Sequence, residues 1–123
     1  MAVSVLLVTP SEGFGELIRQ TLEDDGGYQV VLVKDSRVAL PQREFALAIL
    51  DFEARESGLT QLGHQLLQQN PDIRLIVVPP NNNPKHASLG SLTPHGFLTK
   101  PFYLPDLLEL VETTLNGKTS VPS

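Results

Sequence analysis

The chain has 123 residues, with 14 acidic against 9 basic side chains, a net charge of −5 and no cysteine. That length fits one domain whose core needs no covalent staple, and the lack of cysteine excludes disulfides, zinc–thiolate centres and thiol catalysis. The acidic balance argues against a nucleic-acid or membrane-surface partner, and no apolar run nears the roughly 20 residues of a bilayer span.

Two periods alternate along the chain. Residues 3–8 form an apolar, β-branched run that reads as a first strand; it has no basic leader and soon meets Pro10, so it does not read as a signal peptide. Pro10-Ser11-Glu12 then opens a helix with Ser11 as N-cap. Phe14, Leu17, Ile18, Thr21 and Leu22 fall on one face of it, and Gly26-Gly27 stops it. Residues 28–33 are a second strand, and a short helix is predicted over 36–40, ended by Pro41. Residues 45–51 are a third strand. Gly58 precedes a helix with the stripe Leu59, Leu62, Leu66 and Leu67, which ends before Asn70-Pro71. Residues 73–78 are a fourth strand, followed by the stiff loop Pro79-Pro80-Asn81-Asn82-Asn83-Pro84. Residues 85–92 predict only a weak helix, and 96–99 a short fifth strand. The last helix covers 104–115, with Pro105 near its start and Leu107, Leu108, Val111 and Leu115 facing inward. Gly117 ends it. The domain is drawn as 1–118, with 119–123 a loose tail or the start of a linker.

Strands apolar on both faces that alternate with amphipathic helices imply an α/β fold whose parallel sheet is covered on both sides. Five such units at this length predict the flavodoxin-like doubly wound sheet, order 2-1-3-4-5, with helices on both faces. Its site then lies at the C-terminal strand ends. Those ends carry Thr9-Pro10, Asp51, Pro79 and Lys100-Pro101. An acid at one tip and a lysine at another suggest a phosphoryl-accepting pocket. The absence of a carboxylate pair after the first strand suggests that the pocket has lost its metal. His64, His86 and His95 are scattered without metal-ligand spacing.

With these residues in view, the chain resembles the receiver domain of bacterial two-component response regulators over roughly 3–116. The resemblance is carried by the strand ending in Asp51, by Asn70-Pro71-Asp72, and by Gly96-Phe97-Leu98-Thr99-Lys100-Pro101-Phe102. It implies that Asp51 holds the position that accepts a phosphoryl group from a histidine kinase. It implies that Lys100 is the phosphate-pairing position, that Pro101 follows a cis peptide bond, and that Phe97 is the candidate switch aromatic with Phe102 beside it. Simple core packing is the competing reading of both aromatics. The family's two Mg²⁺-binding acids are replaced here by Thr9 and Pro10. Its hydroxyl residue at the end of the fourth strand is Pro79, and the small residue after it is Pro80.

These departures imply a degenerate receiver, a pseudo-receiver. A direct Asp51–Lys100 ion pair is expected to satisfy the pocket without metal, and no cofactor is expected. Mg²⁺ would return only if Glu53 or Glu12 supplied a replacement carboxylate. The expected function is a non-enzymatic, cytoplasmic signalling module in a bacterial phosphorelay pathway. It would act through protein partners, a histidine kinase or a downstream protein, and as a homodimer through the last helix and neighbouring strand. Two alternatives remain: a working phospho-acceptor at Asp51 with atypical chemistry, and a small flavodoxin-like ligand binder or enzyme. Against the last, Gly13-Phe14-Gly15 is an incomplete dinucleotide fingerprint, with Ile18 where the third glycine belongs. Gly117-Lys118-Thr119 follows a helix, not a strand, so it does not read as a phosphate loop.

Overall fold

The computed structural model describes residues 3–37, 44–54, 58–83, 85, 89–100 and 102–116. Within them the apolar runs become five strands: β1 (Ser4–Val8), β2 (Gln29–Val33), β3 (Leu47–Asp51), β4 (Arg74–Val78) and β5 (Gly96–Phe97). The helices are α1 (Glu12–Asp24), α2 (Leu59–Gln69) and α3 (Leu104–Leu115), with short 3₁₀ turns at Phe52–Ala54 and Pro80–Asn82. All neighbouring strands pair in parallel, in the order β2-β1-β3-β4-β5. The expected doubly wound α/β sheet is therefore present.

The sequence pattern explains the order. Strands β1, β3 and β4 occupy the middle, are buried on both faces, and read as unbroken apolar runs. Side chains alternate between the faces. Val5, Leu7, Leu47, Ile49, Ile76 and Val78 pack with Ile18 and Leu22 of α1 and Leu107 and Val111 of α3. Leu6, Val8, Ala48, Leu50, Leu75 and Val77 pack with Leu59, Leu62 and Leu66 of α2, and with Leu92. Register then builds the working edge. Val8 lies opposite Val33 and Leu50, and Asp51 lies opposite Val78. Thr9, Asp51 and Pro79 thus leave the sheet along one rim.

Local chemistry sets the element ends. Ser11 Oγ accepts the Phe14 N–H and caps α1, as the sequence predicts. After α1 the chain reverses through Gly27 at φ +71°. On α2, Gly63 lets Leu92 lie against the helix: a Cβ there would meet Leu92 Cδ1 at 2.6 Å.

Three expectations need correction. Leu17 was placed on the buried stripe of α1 but is 45% exposed, and Gly15 takes the inner position instead. The weak helix expected over 85–92 is not formed by its described residues: Lys85 is in 3₁₀ conformation and Gly90-Ser91 is a turn, while residues 86–88 lie outside the described residues. The fifth strand is shorter than predicted, although Leu98 N–H still reaches Val77 O at 2.9 Å. The predicted helix at 36–40 shows a turn at Ser36-Arg37, and its remainder lies outside the described residues, as do Gly117 and the tail at 119–123.

His95 fixes the short β5 strand in register. Its N–H donates to Leu75 O at 2.7 Å, and its ring Nδ1 accepts the Leu75 N–H at 3.0 Å. An accepting Nδ1 must be unprotonated. Partial burial, and then the Arg74 charge, hold its pKa below the ordinary 6.5. The neutral ring is thus favoured in the folded state, and its contribution is present above the unfolded pKa and lost as pH falls through the lower folded value. Because His95 is exposed overall, the effect is small. Urea unfolding should show stability falling slightly below about pH 6.5, and His95→Gln, whose amide oxygen can take over as acceptor, should flatten that limb.

Candidate functional site at the strand tips

Thr9 continues the Val5/Leu7 alternation and Asp51 the Leu47/Ile49 alternation, so both side chains turn to the α1 side of the sheet. They meet there. Thr9 Oγ1 donates to Asp51 Oδ2 at 2.7 Å, with Thr9 2% and Asp51 3% exposed. Ser11 N–H donates to Thr9 Oγ1 at 3.2 Å, which leaves the hydroxyl proton for the carboxylate. Glu53 N–H donates to the other oxygen, Asp51 Oδ1, at 3.0 Å. The contacts form one directed chain ending on a buried carboxylate, in which each bond polarises the next. Among the described residues no buried side-chain polar atom lacks a partner.

Gly15 makes this possible from above. A Cβ at that position would sit 3.1 Å from Thr9 Cγ2 and 3.0 Å from Leu32 Cδ1. The glycine pair after the first strand therefore has a packing reason at Gly15, where α1 lies close over Thr9.

The expected Asp51–Lys100 ion pair is not what forms. Lys100 Nζ pairs with Glu53 Oε2 at 2.7 Å and lies 4.1 Å from the centroid of the Phe14 ring. The physical reason is that Asp51 already accepts a bond on each oxygen, whereas Glu53, on the 3₁₀ turn just beyond it, offers an uncommitted carboxylate at the rim. Phe14 in turn meets Phe102 edge-on, with centroids 6.1 Å apart. Lys100 is held from its backbone too. Its N–H donates to Asn82 Oδ1 at 2.9 Å, and its carbonyl accepts from Asn82 Nδ2. Asn81 and Asn82 reach this position at φ 53° and 57°, left-handed conformations that asparagine tolerates better than most residues.

Thr9, Asp51, Glu53, Lys100 and Asn82 thus tie together the loops after β1, β3, β4 and β5. The sequence pointed to Asp51 and Lys100 but missed the roles of Thr9, Phe14 and Asn82. For Thr9 a signal existed: it is the first polar residue after a buried strand and shares the rim with Asp51. Phe97 lies on β5 and is 36% exposed, so it stands at the surface, outside this network. Pro101 lies outside the described residues. Pro79 is extended and leads into the 3₁₀ turn, where Pro80 is buried.

The donor set does not fit a Mg²⁺ centre. Such a site is built from carboxylates and waters in octahedral array. Here the β1 tip presents a hydroxyl that already donates to Asp51, and Glu53 is engaged by Lys100. Glu12, the other candidate, is exposed and lies 3.5 Å from Lys34 Nζ. Among the described residues no group of three or more His, Cys, Asp or Glu side chains could hold a metal ion.

The sequence matches no family model and no curated protein. Solved structures do match it along nearly its whole length. NtrX from Brucella abortus shares 24% identity over 95% of this chain with a TM-score of 0.80, and the match spans 28% of the NtrX chain. A CheY-like response regulator receiver domain protein from Methanospirillum hungatei shares 22% over 95% of this chain and 96% of its own, with a TM-score of 0.75. The chemotaxis response regulator CheY4 of Vibrio cholerae shares 23% over 93% of this chain and 99% of its own, with a TM-score of 0.77. The fold is that of response regulator receiver domains. At these identities the likeness concerns architecture, and the receiver fold hosts the closed strand-tip network described above. Among the described residues no helix is long and apolar enough to cross a membrane.

Proposed function

We propose that this chain is a receiver-like signalling module that works by protein–protein contact without phosphorylation of Asp51. The observation that carries this reading is the Thr9 hydroxyl on Asp51 Oδ2, with the second oxygen taken by the Glu53 N–H. Phosphoryl transfer depends on positioning and on neutralising the charge of the transferred group. At this rim the cation that could neutralise it is engaged by Glu53, and the donor set does not suit Mg²⁺. The module is thus read as non-enzymatic and independent of a metal cofactor. Its partners are proteins of a signalling pathway. Phe97, Tyr103 and Leu104, exposed apolar side chains at the junction of β5 and α3, are the contact surface favoured for such a partner or a second copy.

The test is an amide NMR spectrum with and without Mg²⁺ and beryllofluoride, an acyl-phosphate mimic. The expected result is no change at Thr9, Asp51, Glu53 or Lys100. Saturable shifts at these residues that vanish in Asp51→Ala would overturn the proposal and install the phospho-acceptor reading.

A further inference from the structure

The sheet has two edges, and they are built differently. At one, β5 is two residues long. At the other, β2 runs for five, Gln29-Val30-Val31-Leu32-Val33, with no charge and no proline in it. Edge strands are commonly kept short or blunted by such residues, because an edge offers unpaired N–H and C=O groups to another strand. The ladder shows which groups β2 offers. Gln29 N–H donates to Val3 O, and Val33 O accepts the Thr9 N–H, so residues 29, 31 and 33 face β1. Residues 30 and 32 therefore turn their N–H and C=O groups outward. Val30 bears this out, since its N–H donates to the side chain of Glu23, at Oε2, over 3.3 Å. Among the described residues nothing takes the Leu32 N–H, the Leu32 carbonyl or the Val30 carbonyl.

The two ends of this edge carry opposite charge. α1 brings Glu23 and Asp24 beside its start, with Asp25 as the C-cap. Lys34 follows its end, and its 3.5 Å contact with Glu12 is loose, with the two side chains 73% and 81% exposed.

We propose that a second copy of this chain pairs on the β2 edge, antiparallel about a two-fold axis at Val31, so that the two sheets continue into one. Val30 then lies opposite Leu32 of the second copy, and Leu32 opposite Val30 of the second copy, each pair exchanging two backbone hydrogen bonds. Lys34 of the second copy falls opposite Tyr28, diagonal to Val30 and within reach of the Glu23 carboxylate. Glu23 gives up its long bond to the Val30 N–H, which the second copy's Leu32 carbonyl replaces. Its Oε2 turns to that lysine, while Oε1 keeps Arg19 at 2.6 Å. A second copy fits better than a foreign strand because the edge is self-complementary: reversed, its basic end meets its acidic start, and symmetry makes the contact twice. The pairing is independent of the state of Asp51. It leaves Phe97, Tyr103 and Leu104, toward the other edge of the sheet, open to a different protein.

The experiment follows the full chain by sedimentation velocity and amide hydrogen exchange over a wide range of concentration. A reversible monomer–dimer equilibrium is expected, with the Leu32 amide exchanging more slowly as the dimer forms. Leu32→Pro deletes an outward N–H that the β1 ladder does not use, and should abolish the dimer. Lys34→Glu and Glu23→Lys should each weaken it about tenfold, because symmetry enters each change twice. The double variant Lys34→Glu/Glu23→Lys should recover most of the loss. This exchange of charges leaves the backbone alone, so it decides the matter if Leu32→Pro disturbs the fold. A chain that stays monomeric throughout overturns the inference. So does a double variant no tighter than the singles, or a dimer in which the Leu32 amide exchanges as it does in the monomer; such a dimer would use another surface.

Discussion

Thr9→Val should destabilise the protein by about 2–3 kcal/mol in urea unfolding, although it keeps the shape of the side chain. The hydroxyl is removed from the carboxylate of Asp51, a residue that is 3% exposed, so the orphaned Oδ2 is left in a buried place. The loss is therefore the full penalty of an unsatisfied charged acceptor, not the modest net value of one hydrogen bond. Thr9→Ser keeps the donor and gives up only the methyl that packs beneath Gly15, so its loss should stay near 1 kcal/mol, the scale of one buried methyl group. The decisive comparison is a double-mutant cycle with Asp51→Leu. If the Thr9–Asp51 bond is what matters, the double variant loses clearly less than the sum of the singles, because no buried acceptor remains. Additive losses would show that Thr9 acts through packing alone. The same variants bear on function. A Thr9→Val chain that then takes up beryllofluoride would show that the hydroxyl holds Asp51 closed.

The sheet was legible because its signal is redundant. Three central strands buried on both faces leave unbroken apolar runs, and each is followed by helical spacing or by turn residues. The helix faces were legible in their large apolar residues apart from Leu17, whereas the buried Gly15, Gly63 and Thr114 carry no apolar signal. Leu17 was misplaced because it lies about 100° around α1 from Ile18, on the flank of the stripe, where the arithmetic of i+3 and i+4 cannot separate a buried edge from an exposed one. The site was legible only as positions. Asp51 and Lys100 announce themselves as charges at the ends of apolar strands. Their partners depend on which side chain reaches which atom across loops that sequence spacing does not order. Glu53 and Lys100 are 47 residues apart, and Asn82 and Lys100 are 18 apart. Thr9 was read for the carboxylate it lacks, when its hydroxyl is itself the partner of Asp51.

Asn82 is the second position where a single substitution should have a large effect. Asn82→Ala removes both side-chain bonds to the Lys100 backbone and places a residue with no local polar contact at φ 57°. The left-handed conformation costs a non-glycine residue roughly 1–2 kcal/mol, an amount asparagine offsets in part. The two exposed bonds add about 0.5–1 kcal/mol each, so the total loss should be about 2 kcal/mol. Asn82→Gly separates the contributions: it accepts the positive φ but makes neither bond, and should lose only about half as much. The two variants should agree on a second observable. Without the amide clasp, the segment after β5 is no longer tied to the β4 loop, and Lys100 loses the anchor that holds its ammonium between Glu53 and the Phe14 ring. Ring-current shifts on the Lys100 side-chain protons should therefore fall toward random-coil values in both variants. If they persisted in Asn82→Gly, the ion pair and the aromatic face alone would be enough to hold Lys100, and Asn82 would be a turn residue with no part in the site.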